Sequence, residues 1–288
     1  MRLFLLISLT MVAFAGNSVL GRLALMDGSA DAATYSLLRV VSAAVVLLVL
    51  VRLAQTKGTN AGADVRSAGG WTAALALFSY VAFFSYSYHA LDTGLGALIL
   101  FSCVQAVMIG WGLWRGDRPG LLEWLGILVA FSGFVFLVSP GLSAPPLVPS
   151  VVMAGAGIAW GAYSLMGRGA QNPLLATAGN FTRAVPMALV LSVLSFVAMA
   201  DATITPFGAT MAILSGGVTS GLGYALWYQC LPQLTASRAA IIQLSVPVIA
   251  TLGGIVFADE SLTVRFVVCS ALILMGIALS IMAKAKTI

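Results

Sequence analysis

The nine residues FAGNSVLGR (Phe14–Arg22) return 146 positions later as WGAYSLMGR (Trp160–Arg168), with an aromatic residue, Ser, Gly and Arg in matching places. Later pairs keep nearly the same spacing, at offsets of 144, 143, 143 and 140: Arg39 and Arg183, Asp117 and Glu260, Gly133 and Gly276, and Tyr88 and Tyr228. Such a small drift is what changes in loop length would leave between two copies of one ancestral unit. The sequence therefore predicts two related halves, residues 1–140 and 148–288.

The composition predicts a membrane protein. Hydrophobic residues make up 60% of the 288 residues and charged residues only 8%, whereas soluble domains carry about 25% charged residues. Apolar runs of roughly 20 residues cross a hydrocarbon core about 30 Å thick. Ten such runs follow one another: 3–25, 33–53, 69–90, 94–114, 120–139, 148–167, 174–199, 206–230, 236–257 and 264–283. We therefore predict an all-α integral membrane protein with ten transmembrane helices.

The distribution of charge predicts how the chain crosses the membrane. Cytoplasmic connections are rich in Lys and Arg. With a cytoplasmic N-terminus, ten of the 14 basic residues lie on that side, and only Arg22 and Arg265 lie on the other. The other side instead holds carboxylates: Asp27, Asp31, Asp92, Asp201, Asp259 and Glu260. Both termini are thus expected in the cytoplasm. Because each half has five helices, the second enters inverted, and inverted repeats around a midplane cavity are the plan of many secondary transporters.

The first segment has a second interpretation. Arg2, an apolar run and the small residues Ala13 and Ala15 are also typical of a secretory signal with its cleavage site. The match to Trp160–Arg168 argues against this, because those residues lie in the middle of the chain, where no signal peptide belongs. We therefore expect a retained first helix and a multi-pass protein of the inner (plasma) membrane.

Polar side chains within a bilayer are costly, so those placed mid-helix are expected to face a cavity or a partner helix. Asn17, one turn after Phe14, is such a residue. The predicted substrate-binding residues are Phe14, Asn17, Tyr80, Phe84, Phe101, Gln105, Trp160, Tyr163, Tyr224 and Gln243. Aromatic walls with a few amide and hydroxyl groups suit a small amphipathic solute, although helix packing and interhelical hydrogen bonds would also explain some of them. Tyr88 and Tyr228, near helix ends, are instead expected in the interfacial aromatic belt.

Two arginines carry charge inside the predicted membrane core. Arg39 and Arg183 each lie about two turns within a helix, and the inverted repeat places them towards opposite faces. As functional residues they would be carboxylate anchors or gates that line the two half-channels. As structural residues they would snorkel to the interface or cap helix C-termini, where the helix dipole favours cations. The sequence leaves both alternatives open.

Several chemical classes are not expected. No carboxylate lies mid-helix, the single histidine, His89, lies at the outer end of the third segment, and no GxxxxGK[ST] motif is present. We therefore predict neither ATP-driven transport nor an enzyme, and no cofactor, metal or nucleic-acid partner. Movement down the gradient of the solute is the simplest mechanism, with His89 as the alternative proton relay or gate.

The closing pattern PVIATLGGIVFADESLT (Pro247–Thr263), followed by Gly276, and the early Arg in the second helix of each half resemble the EamA-type members of the drug/metabolite transporter superfamily. The first half departs from the family, since Gln105 replaces the expected Pro and RGDRPG (Arg115–Gly120) is a looser version of the Gly-Glu turn. The resemblance covers nearly the whole chain and implies an inner-membrane exporter of metabolites, often amino acids. The aromatic set is most similar to YddG-type aromatic amino-acid exporters. The alternatives are a carrier of nucleotide sugars or phosphate esters, and a passive channel. The expected partners are a small-molecule substrate and the lipid bilayer. The expected oligomeric state is a monomer.

Overall fold

The computed structural model of the protein describes residues 2–56, 64–116, 118–139, 145–168, 170–199, 203–230, 233–234 and 242–287. The helices, in chain order, are α1 (Arg2–Leu25), α2 (Ala32–Thr56), α3 (Trp71–Ser87), α4 (Thr93–Trp114), α5 (Leu121–Val138), α6 (Leu147–Gly167), α7 (Pro173–Met199), α8 (Pro206–Leu214), α9 (Gly223–Cys230), α10 (Ser245–Ala258) and α11 (Val264–Thr287). A π-helical segment (Ser215–Leu222) joins α8 to α9 without a break. Asp117 and Asp201, which enter the repeat and charge predictions, lie outside the described residues.

The prediction of an all-helical, multi-pass membrane chain is confirmed. Seven helices of the described part are long and apolar enough to cross a membrane: α1, α2, α4, α5, α6, α7 and α11. The apolar helices α3 and α10 are shorter, at 17 and 14 residues. The run from α8 to α9 follows the predicted segment 206–230. The count of ten crossings stays a prediction, since part of the segment before α10 lies outside the described residues.

Local chemistry fixes several of these helix ends. The side chain of Thr205 accepts a hydrogen bond from the Gly208 N–H at 3.1 Å, and Pro206 follows it in the first turn. A side-chain oxygen before a proline is a strong helix start. Asp259 ends α10 with φ = 56°, a left-handed conformation that cannot continue the helix. This turn brings Glu260 back towards the body of the bundle, where its backbone N–H donates to the Gly254 oxygen.

Most of the helix contacts recur when the two halves are exchanged. α3 packs on α6 as α9 packs on α1, α4 packs on α6 as α10 packs on α1, and α3 packs on α7 as the π segment packs on α2. The pairs that map onto themselves, α2 with α7, α4 with α10 and α5 with α11, also pack together. This is the pattern expected of two halves related by a twofold axis. Around the centre, α4 packs on both α1 and α6, α3 packs on α6, and α9 and α10 pack on α1.

The pair α5 and α11 packs most closely. A Cβ atom on Gly126 would lie 2.6 Å from the backbone oxygen of Gly276, and one on Gly276 would lie 2.5 Å from the backbone nitrogen of Ala130. Small residues allow helix backbones to approach in lipid, where no hydrophobic force drives helices together. Apart from its pairing with α5, α11 makes a small contact with α4. The pair therefore stands at the periphery and leaves the centre to the other helices.

Connections meet in two groups, one at each end of the bundle. The α1–α2 connection pairs with the α7–α8 connection through a bridge between Ala30 and Ile204, with the Asp31 N–H donating to the Thr203 oxygen at 2.9 Å. At the opposite end of α2 and α7, the Gly70 N–H donates to Asn180 Oδ1 at 2.9 Å. The groups correspond to the faces predicted as outer and cytoplasmic.

Candidate solute-binding cavity

A cavity of about 340 Å³ lies between α1, α4, α6 and α9. Its size falls within the range of roughly 300–1,000 Å³ that is common for small-molecule sites. The lining residues are Phe14, Val104, Gln105, Met108, Trp160, Tyr163, Ser164, Gly167, Arg168, Tyr224, Trp227, Tyr228, Leu234 and Gln243. The cavity extends to the end of α6, where Arg168 is exposed. It thus reaches from the middle of the bundle to the end predicted as cytoplasmic.

A second, narrow cavity of about 30 Å³ continues the first, because Phe14, Trp160, Tyr224 and Gln243 line both. Its remaining lining residues are Asn17, Ser18, Tyr80, Phe84, Leu100 and Phe101. All ten predicted substrate-binding residues therefore line one or both cavities. The fold brings them together from α1, α3, α4, α6, α9 and the residues before α10. That these residues bind a solute stays a prediction.

Trp160 is the centre of the aromatic lining. Its ring centroid lies 4.9 Å from that of Tyr80, 5.3 Å from that of Tyr163 and 5.3 Å from that of Tyr224. Phe14 lies 5.8 Å from Tyr224 on the opposite side. Tilted and stacked ring pairs at such distances hold each other in fixed orientations. The resulting wall offers apolar faces to a side chain and π faces to an ammonium group.

Asn17 is held by the π segment. Its Oδ1 accepts hydrogen bonds from the hydroxyls of Ser215 at 2.9 Å, Thr219 at 2.7 Å and Ser220 at 3.1 Å. The wider π turn places these three hydroxyls on one side, and π segments inside helices often mark functional sites. The oxygen of Asn17 is therefore engaged within the protein, so its amide N–H groups are what it can offer to a solute.

Sequence reasoning missed part of the lining. Trp227, whose ring centroid lies 5.9 Å from that of Phe14, shares a helix face with Tyr224 and Tyr228. The interfacial belt predicted for Tyr88 and Tyr228 is wrong. Tyr88 is 0% exposed and donates to the backbone oxygen of Thr93 at 3.1 Å, and Tyr228 lines the larger cavity. The spacing of three and four residues in α9 was the available signal for Trp227 and Tyr228.

The two repeat-related arginines differ in their surroundings, and neither lines the described cavities. Arg183 donates to three backbone oxygens: Ala68 at 2.6 Å, Arg66 at 2.6 Å and Gly179 at 3.0 Å. These bonds fix the α2–α3 connection against α7. In this conformation Arg183 has structural contacts, and its role as an anchor or gate stays a prediction.

Arg39 is 1% exposed and lies behind the wall of the narrow cavity. Its Nη2 donates to Tyr80 Oη at 2.9 Å, and its guanidinium carbon lies 4.5 Å from the ring centroid of Phe84. Both rings line the narrow cavity. Nε and Nη1 are buried and have no hydrogen-bond partner within the described residues. Arg39 is therefore a buried cation one ring away from the cavity.

A cluster of charged groups closes the end predicted as outer. Arg22 Nε donates to Glu260 Oε1 at 3.3 Å, and its Nη1 donates to the backbone oxygen of His89 at 3.1 Å. Thr93 donates its N–H and hydroxyl to Glu260 at 2.8–2.9 Å. Asp92 Oδ1 lies 3.5 Å from Arg22 Nη2. This outer cluster joins the end of α1 to the start of α4 and to the α10–α11 connection.

Burial shifts the titration of two groups in or beside the outer cluster. It raises the pKa of Glu260; Asp92 adds to this increase, whereas the hydrogen bonds from Thr93 and the charge of Arg22 oppose it. Burial lowers the pKa of His89, and Arg22 lowers it further. His89 lies in the α3–α4 connection, directly after α3, and its role as a relay or gate stays a prediction.

The charge around the two cavities is one-sided. Among the lining residues that the structure describes, Arg168 is charged and no carboxylate is present. Arg39, behind Tyr80 and Phe84, adds a second positive charge close by. Such a field favours a solute with an anionic group. An ammonium group would have to rely on ring faces and amide oxygens.

The fold and this central cavity define a multi-pass helical membrane protein. Residues 149–282 match the EamA-like transporter family. An uncharacterised protein of Pseudomonas aeruginosa is 46% identical over 96% of this chain and 94% of its own length. The chain therefore belongs to the EamA-like transporter family.

More distant relatives include transporters, and one solved structure shares the fold. An uncharacterised transporter of Archaeoglobus fulgidus is 25% identical over 65% of this chain and 67% of its own length. The threonine/homoserine exporter RhtA of Salmonella typhimurium is 26% identical over 62% of this chain and 59% of its own length. One crystal structure superposes with a TM-score of 0.62, covering 95% of this chain and 96% of its own at 17% identity, which shows a shared fold.

Proposed function

We propose that this protein is an inner-membrane carrier that exports small metabolites, and that its substrates are amino acids with aromatic or large apolar side chains. The observation that carries the proposal is the aromatic cavity of about 340 Å³ with its narrow extension in the middle of the bundle. Its volume suits a single amino acid, and its rings suit an apolar side chain. The similarity to a threonine/homoserine exporter supports the amino-acid class.

The proposed mechanism is alternating access between two inverted halves, residues 1–140 and 148–288, with both termini in the cytoplasm. The exchange symmetry of the helix contacts supports this arrangement. In the present conformation the cavity reaches the exposed Arg168 at the cytoplasmic end, while the outer cluster around Arg22 and Glu260 joins three connections at the other end. Solute would enter from the cytoplasm and leave after the outer cluster opens.

The lining distinguishes this proposal from its alternatives. Phosphate esters and nucleotide sugars carry one or more phosphate charges and call for several cationic groups at the cavity surface. Around the two cavities the described lining supplies Arg168, with Arg39 behind the wall. A passive channel needs a continuous water-filled path, and at the outer end such a path would have to pass the hydrogen-bonded outer cluster. A transporter family also argues against an enzyme.

Counterflow in proteoliposomes tests the function directly. The purified protein is reconstituted with unlabelled amino acid inside, and uptake of radiolabelled phenylalanine and threonine is compared with uptake into protein-free vesicles. We expect saturable uptake that internal phenylalanine accelerates. Uptake that rises linearly with concentration and ignores the internal solute would indicate a channel. Counterflow with a nucleotide sugar but with no amino acid would assign the alternative substrate class.

A further inference from the structure

We propose that Arg39 is the anion anchor of the transport cycle and binds the carboxylate of the substrate once the rings of Phe84 and Tyr80 move aside. The inference rests on the proposed amino-acid function and names the substrate group that the site recognises. It assigns to Arg39 a direct contact with the carboxylate, although this residue does not line the cavity in the present conformation.

The buried charge of Arg39 has no counterion among the described residues. Arg39 is 1% exposed, and it forms no ion pair with a carboxylate of the described residues. Its Nε and Nη1 have no hydrogen-bond partner within those residues. A buried cation loses its hydration, and an unpaired charge in a low-dielectric interior is strongly unfavourable. Such a group is stabilised whenever an anion reaches it.

Two aromatic rings cover the guanidinium of Arg39. The ring centroids of Phe84 and Tyr80 lie 4.5 and 5.3 Å from its central carbon. Ring faces attract a cation, but more weakly than a carboxylate with direct hydrogen bonds does. The same two rings form part of the wall of the narrow cavity. They therefore stabilise Arg39 while the site is empty and separate it from the solute by the thickness of one ring.

Arg183, the repeat partner of Arg39, has a different set of hydrogen-bond acceptors. All of its observed bonds go to backbone oxygens of the chain, which a purely structural arginine is expected to do. Arg39 instead has one bond, to the hydroxyl of a cavity residue. Because Nη2 donates to Tyr80 Oη, the Tyr80 proton is free to point elsewhere, and the nearby cation strengthens it as a donor. Tyr80 and Arg39 together would hold the two oxygens of a carboxylate.

The test measures recognition of the carboxylate as a ratio between related probes. Counterflow of labelled phenylalanine is competed with phenylalanine, with phenylalaninamide and with phenethylamine, which keep the ring and the amine but lack the anionic group. In the wild-type protein we expect phenylalanine to compete about tenfold or more better than either analogue, as a charge-assisted contact would require. In Arg39→Gln this ratio should fall to nearly one, and Arg39→Lys should give an intermediate ratio.

Arg183→Gln is the matched control. It removes the same charge from the repeat-related position, so it is expected to lower the amount of folded protein but to keep the wild-type ratio. A wild-type ratio in Arg39→Gln, or equal competition by all three probes in the wild-type protein, would overturn the inference. The second outcome needs no variant and therefore stands even where Arg39→Gln fails to insert. Absence of counterflow with every amino acid would instead overturn the proposed function.

Discussion

At the scale of single residues, the cavity depends on rings that hold one another in place. Trp160 contacts Tyr80, Tyr163 and Tyr224, which come from three different helices. The indole of Trp160 therefore helps to fix the positions of rings from all three helices. Because each of these rings packs on a neighbour and not only on a solute, a substitution here acts on the shape of the site as well as on contact area.

Replacing Trp160 or Tyr224 with alanine is expected to weaken the apparent affinity of transport. The loss of a ring contact costs about 1–3 kcal/mol, or roughly a five- to 150-fold change. The half-saturation concentration of counterflow at equal expression measures this effect. Trp124→Ala is the control, because that side chain lies on α5, away from both cavities, and is 43% exposed. Unchanged transport in the two cavity variants would mean that these rings only pack the bundle.

Protonation of Glu260 is expected to hold the outer end closed. Burial raises its pKa in the closed cluster, whereas in an open outer end the carboxyl would be hydrated and near its ordinary value of 4.5. A proton is then bound more tightly by the closed state, so acid favours closure and rising pH favours opening. The balance between closed and open states therefore changes with pH between 4.5 and the raised pKa of the closed state.

The measurement uses Ser18→Cys, which lines the narrow cavity. An impermeant thiol reagent added outside right-side-out vesicles should label it more slowly as the external pH falls towards 4.5. The same cysteine in Glu260→Gln, which cannot titrate, corrects for the chemistry of the thiol. His89→Gln should keep this sign of the pH dependence and make it steeper, since burial lowers the pKa of His89 in the closed state and its protonation would favour opening. A corrected labelling rate that does not vary with pH would contradict the expectation.

At the scale of helices, the π segment is the feature that couples the site to the fold. It presents three hydroxyls to Asn17 on α1, and its backbone at Gly216 lies directly against the Arg39 carbonyl on α2. A Cβ at Gly216 would overlap with that oxygen and with Ser42 Oγ, both held by the backbone of α2. The absence of a side chain here lets α2 and the π segment approach each other.

Gly216→Ala is therefore expected to destabilise the protein by about 1–3 kcal/mol, the usual cost of overpacking a fixed contact. Gly217→Ala is the control within the same turn, since its Cβ would meet a methyl group of Val46 at 3.3 Å. Thermal unfolding of the purified proteins in detergent compares the two. Equal midpoints for both variants would show that the π segment can move away from α2 without cost.

Helices and lining residues were largely predictable from sequence, whereas their partners were not. Asn17 and Gln105 lie within apolar runs, where the cost of a polar group in lipid points to a cavity. The Arg22–Glu260 pair joins residues 238 positions apart, a separation that leaves no local pattern. Arg39 and Arg183 occupy equivalent repeat positions, yet Arg183 donates to backbone oxygens of the α2–α3 connection, whereas Arg39 donates to the hydroxyl of Tyr80. The π segment was not predicted, because its residues also fit an ordinary helix.

At the scale of the whole molecule, the two halves make similar helix contacts but differ in the surroundings of their repeat-related arginines. Most helix contacts of one half recur in the other. Arg22, however, is held in the outer cluster, whereas its repeat partner Arg168 is exposed beside the cavity. Two related halves can adopt each other's conformations. This difference between the halves is therefore expected of an alternating-access carrier whose site is open to one side of the membrane.

Transport is expected to run without an obligatory proton gradient, because no carboxylate lines the described cavities. Counterflow of phenylalanine should persist when an ionophore collapses the pH gradient across the vesicle membrane. Complete loss of flux under this condition would reveal a proton relay. His89→Ala would then be the first variant to compare, since it removes the one histidine of the chain.

The proposed inversion of the second half predicts on which side of the membrane each connection lies. Asp27 follows α1, and Arg168 follows α6, the repeat partner of α1; both side chains are exposed. If the halves are inverted, these residues face opposite sides of the membrane, whereas parallel repeats would place them on the same side.

The measurement labels single cysteines with an impermeant reagent in intact cells, in a background without Cys103, Cys230 and Cys269. The cysteines are placed at Asp27, Arg168, Ser67 and Asp259. We expect labelling from outside at Asp27 and Asp259, and labelling at Arg168 and Ser67 only after the cells are opened. External labelling of both Asp27→Cys and Arg168→Cys would exclude the inverted arrangement and, with it, an alternating mechanism based on exchange between the halves.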